Sequence, residues 1–153
     1  MEFRQVDNIA VKVVNSESED ERPRSEIFLN DKPTGKFVSG AFLEAAFQWR
    51  DWYLLLLTNG YTFEETLDVH LLNEHFEIAD TATLGWFYVS GVFEAPVLIQ
   101  PNIVQFRFLG DMDWNIELLP EYTFRLPFLT EPPGVWRELG FSRHFKIYRK
   151  SRG

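Results

Sequence analysis

Asp68 and His70 stand two residues apart in the run Leu67-Asp68-Val69-His70-Leu71. In an extended chain, residues two apart share a face. This carboxylate and this imidazole would therefore lie side by side. Glu74, His75 and Asp80 follow across an expected turn at Asn73-Glu74-His75. A two-His, one-carboxylate metal site needs three such ligands to converge. The spacings that usually mark metal sites (His-Glu-x-x-His, His-x-His, the EF-hand loop) do not occur. A polar strand face beside a turn carries the same residues simply to meet water. No metal and no cofactor is expected.

Acid–base chemistry has equally little to stand on. Glu64 and Glu65 are adjacent, so in an extended chain they point to opposite sides and do not form a dyad. Asp111 and Asp113 fall in a turn-like stretch, where Asp is favoured because it hydrogen-bonds its own backbone. Glycoside hydrolysis needs two carboxylates about 5–10 Å apart across a cleft, and 23 acids offer many pairs. Nucleophiles lack their settings too. Ser90 lies in Val-Ser-Gly rather than a Gly-x-Ser-x-Gly elbow, and Ser39-Gly40 is no closer to one. Glycine loops that cradle phosphates are absent. The chain has no cysteine, which excludes disulfides, thiolate nucleophiles and Cys-ligated zinc or iron–sulfur sites. No catalytic residue is assigned.

Charge is the more informative property. The net charge is −8. Residues 1–142 hold 10 Lys/Arg against 23 Asp/Glu, and the last stretch adds Arg143, Lys146, Arg149, Lys150 and Arg152 with no acid. An acidic body repels nucleic acid and attracts basic partners. The aromatics Phe141, Phe145 and Tyr148 among the terminal cations fit a base-stacking pattern, but a final strand with a basic outer face accounts for them as well. Aromatics make up 16% of the chain. Most suit a pleated β core. Trp49, Trp52, Trp86, Trp114 and Trp136 mostly lie near expected turns, where a ring can plug the core or anchor a partner.

The elements that would position these residues read as strands. Val104, Phe106 and Phe108 alternate with Gln105 and Arg107, and Trp114, Ile116 and Leu118 return after a turn at residues 110–113. That is the clearest hairpin in the chain. Trp52 to Leu57 is an unbroken apolar run of buried-strand length, ended by Asn59-Gly60, a strong turn signal. Leu67 to Leu71 alternates as a half-buried strand. Residues 41–49 fit both a strand and a helical stripe, and the strand is favoured because the alternation starts at Phe37-Val38 and Gly40 weakens a helix start. Glu26 to Leu29 makes a short strand before the turn-rich Asn30-Asp31-Lys32-Pro33-Thr34-Gly35. Asp80 breaks its own alternation and marks a bulge or an edge. Residues 15–25 and 127–134 read as loops, and Val135 to Leu139 as one helical turn.

About ten short strands at regular spacing predict an all-β fold, an antiparallel β-sandwich or partly closed barrel with at most one short helix. Residues 1–153 form one domain. No apolar stretch is long enough for a transmembrane helix, and no signal-peptide pattern opens the chain. A cytoplasmic location follows as the expectation.

Function is expected to be protein binding without catalysis, for instance an immunity- or antitoxin-like inhibitor of a basic partner. Glu64, Glu65, Asp68, Asp111, Asp113 and Trp114 are the expected contacts, acids to speed encounter and an aromatic to supply affinity. The alternative is a β-barrel holding a small apolar ligand. A third reading is a hydrolase-type enzyme using scattered Asp, Glu and His.

Overall fold

A strand that is apolar at both parities must be covered on both faces. Trp52–Thr58 is such a strand, and it sets the layering of the fold. In the computed structural model, residues 3–14, 23–60, 66–85, 93–108, 112–124, 135–136 and 142–151 are described. Their central layer is an antiparallel sheet of β1 (Arg4–Gln5), β5 (Phe42–Trp49), β6 (Trp52–Thr58), β7 (Leu67–Leu72), β8 (Ile78–Leu84) and β12 (Val135–Trp136), in that spatial order. One outer sheet holds β13 (Ser142–Ser151), β11 (Met112–Phe124), β10 (Ile103–Arg107) and β9 (Glu94–Ile99). The other holds β2 (Ile9–Val13), β3 (Arg24–Leu29) and β4 (Lys32–Ser39). No helix occurs among the described residues, and none there is long and apolar enough to cross a membrane.

The central sheet serves two cores. Leu54 and Leu56 face the four-stranded sheet, where Val104, Phe106, Trp114, Ile116, Phe145 and Ile147 meet them. Leu55 and Leu57 face the three-stranded sheet and pack with Ile9, Ile27 and Val38. The architecture is a β-sandwich, and its sheets do not close into a barrel. The larger core is filled by Phe3, Phe47, Phe106, Phe108, Trp114 and Phe145, each fully buried. Among the described residues, the facing sides of the two larger sheets are occupied by these packed side chains.

Local chemistry explains the turns. Residues 42–49 are a strand, and Trp49 pairs with Trp52 across a two-residue turn at Arg50-Asp51. The β3–β4 turn is Asn30-Asp31 alone, at φ of 51° and 66°. Asn and Asp tolerate this left-handed region better than other non-glycine residues, which suits a type I′ hairpin. The expected turn stretch Lys32–Gly35 is instead part of β4. Pro33 is accommodated there because β4 is an edge strand, where a missing N–H costs no ladder bond. The hairpin of β10 and β11 has Phe106 opposite Trp114 and Val104 opposite Ile116. Val135 is not the start of a helical turn. It pairs with Leu84 of β8, and Trp136 pairs with Thr83.

Asp80 does sit beside a bulge, since the β7–β8 register shifts between the Leu71–Asp80 and Leu72–Ile78 pairs. Its buried carboxylate has a definite task. Oδ1 accepts the Thr81 N–H at 2.9 Å and Oδ2 accepts the His144 N–H at 2.8 Å. The second bond ties the central sheet to β13 of the outer sheet. Hydrogen bonds to charged groups contribute about 1.5–3 kcal/mol. Asp80→Ala is expected to lower unfolding free energy by about 2–3 kcal/mol, measured by urea denaturation. A loss within error of zero would show that this tie between sheets is dispensable.

Candidate interaction surface

Among the described residues, the expected contacts Asp68, Asp113 and Trp114 do not share one surface. Glu64, Glu65 and Asp111 lie outside the described residues. Trp114 is 0% exposed, and its Nε1–H donates to Phe108 O at 2.9 Å. A ring with no surface cannot anchor a partner, so its place is in the core. Asp68 is 1% exposed and accepts the Thr83 hydroxyl at 2.7 Å. Only Asp113 is partly open, on β11 directly opposite Lys150 and Arg107.

Asp68 and His70 do share a face, but the face is covered. All six residues of β7 are buried, because the three-stranded sheet lies over the side that the alternation marks as polar. His70 sits opposite Thr81, and Asp68 opposite Thr83, in the β7–β8 register. The His70 Nε2 atom is 3.0 Å from Ser39 O and 3.3 Å from Ser39 Oγ, while Nδ1 is 2.9 Å from Thr81 Oγ1. A carbonyl oxygen only accepts, so Nε2 carries the proton. It therefore has no lone pair with which to deprotonate Ser39, and the Ser–His contact does not make a nucleophile. Ser25 closes the same layer by donating to Gly40 O at 2.7 Å. This is a buried polar seam with its partners inside the protein. His75 stands elsewhere, in the β7–β8 turn, exposed beside Glu74 at 3.5 Å. Among the described residues no three His, Asp or Glu side chains are placed to hold a metal.

Two cations of the basic C-terminal run stand opposite acids in the β11–β13 ladder. On the outer face of the four-stranded sheet, β13 lies against β11 with Lys146 opposite Glu117 and Lys150 opposite Asp113. Lys146 Nζ is 3.7 Å from Glu117 Oε2, and Arg107 on the same face is 3.5 Å from Glu94. Opposite charges facing each other across a ladder stabilise the pairing modestly. Tyr148 shares this face, and its phenol is held above the ordinary range by desolvation first and by the Glu117 carboxylate second.

One apolar groove lies at a place the sequence did not point to. A groove of about 360 Å³ is lined by Ile9, Ala10 and Val11 of β2 and by Ala41, Phe42 and Leu43 at the start of β5. Phe42 is 58% exposed there, and Val13 and Val14 are each 45% exposed at the end of β2. The cause is local. The β5–β6 register shifts between Leu43 and Ala45, so Glu44 is an extra residue in β5. Such a bulge re-aims the side chains before it. Phe42 consequently lies over Gly60, where an added Cβ would fall 2.6 Å from the ring. Period-two alternation cannot announce a bulge, so nothing in residues 41–49 marks Phe42 as the exposed member. Comparison with protein-family models, curated proteins and solved structures finds no match to this chain.

Proposed function

We propose that this chain is a protein-binding module that engages a basic partner, as an immunity- or antitoxin-like inhibitor does. The observation that carries the reading is the apolar groove around Phe42, set in a chain of net charge −8. Large exposed aromatics beside a groove serve as anchors, and surplus acid steers a basic partner toward them. Glu64, Glu65, Asp111 and Asp113 contribute to that field as acids. Asp68 and Trp114 are no part of the contact. A cytoplasmic setting suits a chain without cysteine.

Co-purification from native extract, with the proteins identified by mass spectrometry, tests the reading. The supporting result is a basic protein that is retained at low salt, released as salt rises, and lost with Phe42→Asp but not with Val97→Ser, an exposed apolar position on β9. Retention that is indifferent to Phe42→Asp, or confined to acidic and neutral proteins, would overturn it.

A further inference from the structure

β1 and β2 are one run of chain that changes neighbours. Arg4 and Gln5 pair with Gln48 and Phe47 of β5, and the Val6 N–H donates to Ala46 O at 2.9 Å. Past Asp7-Asn8 the chain leaves β5 and pairs with β3 instead. The groove opens where β2 and the first half of β5 diverge.

The backbone of β2 is half used. The Asn30 N–H donates to Asn8 O, and the Val14 N–H donates to Arg24 O, both at 2.9 Å. Antiparallel alternation then turns the N–H and C=O groups of Ala10 and Lys12 toward β3. Those of Ile9, Val11 and Val13 point outward. β2 is an edge strand, and among the described residues no strand pairs with that side. A row of outward donors and acceptors is a template for another strand.

We propose that β2 accepts an extended segment of the partner as an added strand, with an apolar side chain of that segment seated against Phe42 and with Lys or Arg residues flanking it. This rests on the protein-binding reading above and names how that site recognises its partner. Strand addition takes affinity from main-chain bonds and specificity from pockets for alternate side chains. The charge preference comes from the residues around β2. Asp7 precedes it, and Glu44 adjoins the groove lining. Lys12 stands opposite Glu26 in the ladder, so it offsets little of this. A second copy paired through β2 would set one chain of net charge −8 against another. Like charges oppose that pairing, so a basic segment is the better occupant.

The test uses the full chain and a short synthetic peptide of alternating valine and threonine with lysine and arginine at its ends. Hydrogen exchange read residue by residue should show the Val11 and Val13 amides slowed by about tenfold or more at saturation, as expected for groups newly paired in a ladder. Val11→Pro removes one outward N–H without touching the β2–β3 bonds. It and Phe42→Ala should each weaken the peptide about tenfold, a loss of about 1.4 kcal/mol. The same peptide ended in glutamate and aspartate should bind at least about tenfold more weakly at low salt. No saturable binding, binding that leaves both amides unprotected, or equal binding of the two peptides would each overturn the proposal. So would a dimer of the free protein that Val11→Pro abolishes, because a second copy would then own the edge. If a basic partner is co-purified in a Phe42-dependent way but ignores Val11→Pro, strand addition fails and the protein-binding reading stands.

Discussion

Gly40→Ala is expected to be among the most destabilising single substitutions in this protein, costing about 3–5 kcal/mol. Two terms add. Gly40 has φ of 120°, a region that L-residues with a Cβ rarely occupy, and such strain costs about 1–3 kcal/mol. The new methyl would also fall 2.4 Å from Leu57 Cβ and 3.0 Å from Leu57 Cδ2. Leu57 cannot step aside, since it is fully buried in the smaller core, and overpacking of that kind costs about 1–3 kcal/mol more. The backbone cannot step aside either. Gly40 N–H donates to Pro23 O, and Ala41 N–H donates to Thr58 O, at 2.9 and 2.8 Å. Gly35→Ala separates the two terms. Gly35 has φ of 73° but nothing within 4 Å of an added Cβ, so it should cost only the left-handed penalty, about 1–2 kcal/mol. Urea denaturation of both variants is the measurement. Equal losses would show that β6 does not press on Gly40. Since native domains are stable by only about 5–15 kcal/mol, the Gly40 variant should also lose soluble yield.

That contrast bears on how far residue patterns alone specify this fold. The hairpin of β10 and β11 was legible because its apolar residues keep strict parity on both strands. β6 was legible as a buried strand because nothing polar interrupts Trp52–Leu57. Residues 41–49 fit two periods, and the structure resolves them as a strand through the Trp49–Trp52 hairpin. What failed was the environment of the polar face of β7. Asp68 and His70 alternate with Leu67, Val69 and Leu71, which normally means a face in water. Here the covering layer is β2, β3 and β4, supplied by residues more than 25 positions earlier. No local pattern announces a third sheet. The register partners carried a faint sign in retrospect, since Thr81 and Thr83 alternate in β8 as Asp68 and His70 do in β7. Two hydroxyls facing a carboxylate and an imidazole can satisfy them out of water, and buried polar groups require such partners.

The candidate site was illegible for a related reason. Its acids were readable as an excess, and the basic run of β13 as an outlier. Pairing β13 with β11 sets Lys146 opposite Glu117 and Lys150 opposite Asp113, so part of that asymmetry is a cross-strand feature of one sheet. The groove, by contrast, depends on β1 leaving β5 at Val6 and on the bulge at Glu44. Neither event has a residue signature that period-two reading can detect. An edge strand is a property of which neighbours are absent, and that emerges only from topology.

Trp114 gives the sharpest separation of core from contact. Trp114→Ala is expected to cost about 3–5 kcal/mol, the range for removing a large buried aromatic. The ring lies between the two larger sheets, fully buried among Phe106, Ile116 and Phe145, and its removal also leaves Phe108 O without the indole donor that now satisfies it. Trp114→Phe keeps most of the apolar volume and loses chiefly that bond, so it should cost about 1–2 kcal/mol and stay folded. The folded variant carries the argument. If Trp114 anchored a partner, the phenylalanine variant would bind several-fold more weakly in proportion to the lost indole surface. With the ring inside the core, partner or peptide affinity should be unchanged within about twofold, while Phe42→Ala, which alters a mostly exposed side chain, should lose binding with a stability change within about 0.5 kcal/mol. Denaturation and binding measured on the same two variants decide between the assignments. A stable Trp114→Phe protein that has lost its partner would return Trp114 to the interface and remove Phe42 as the anchor.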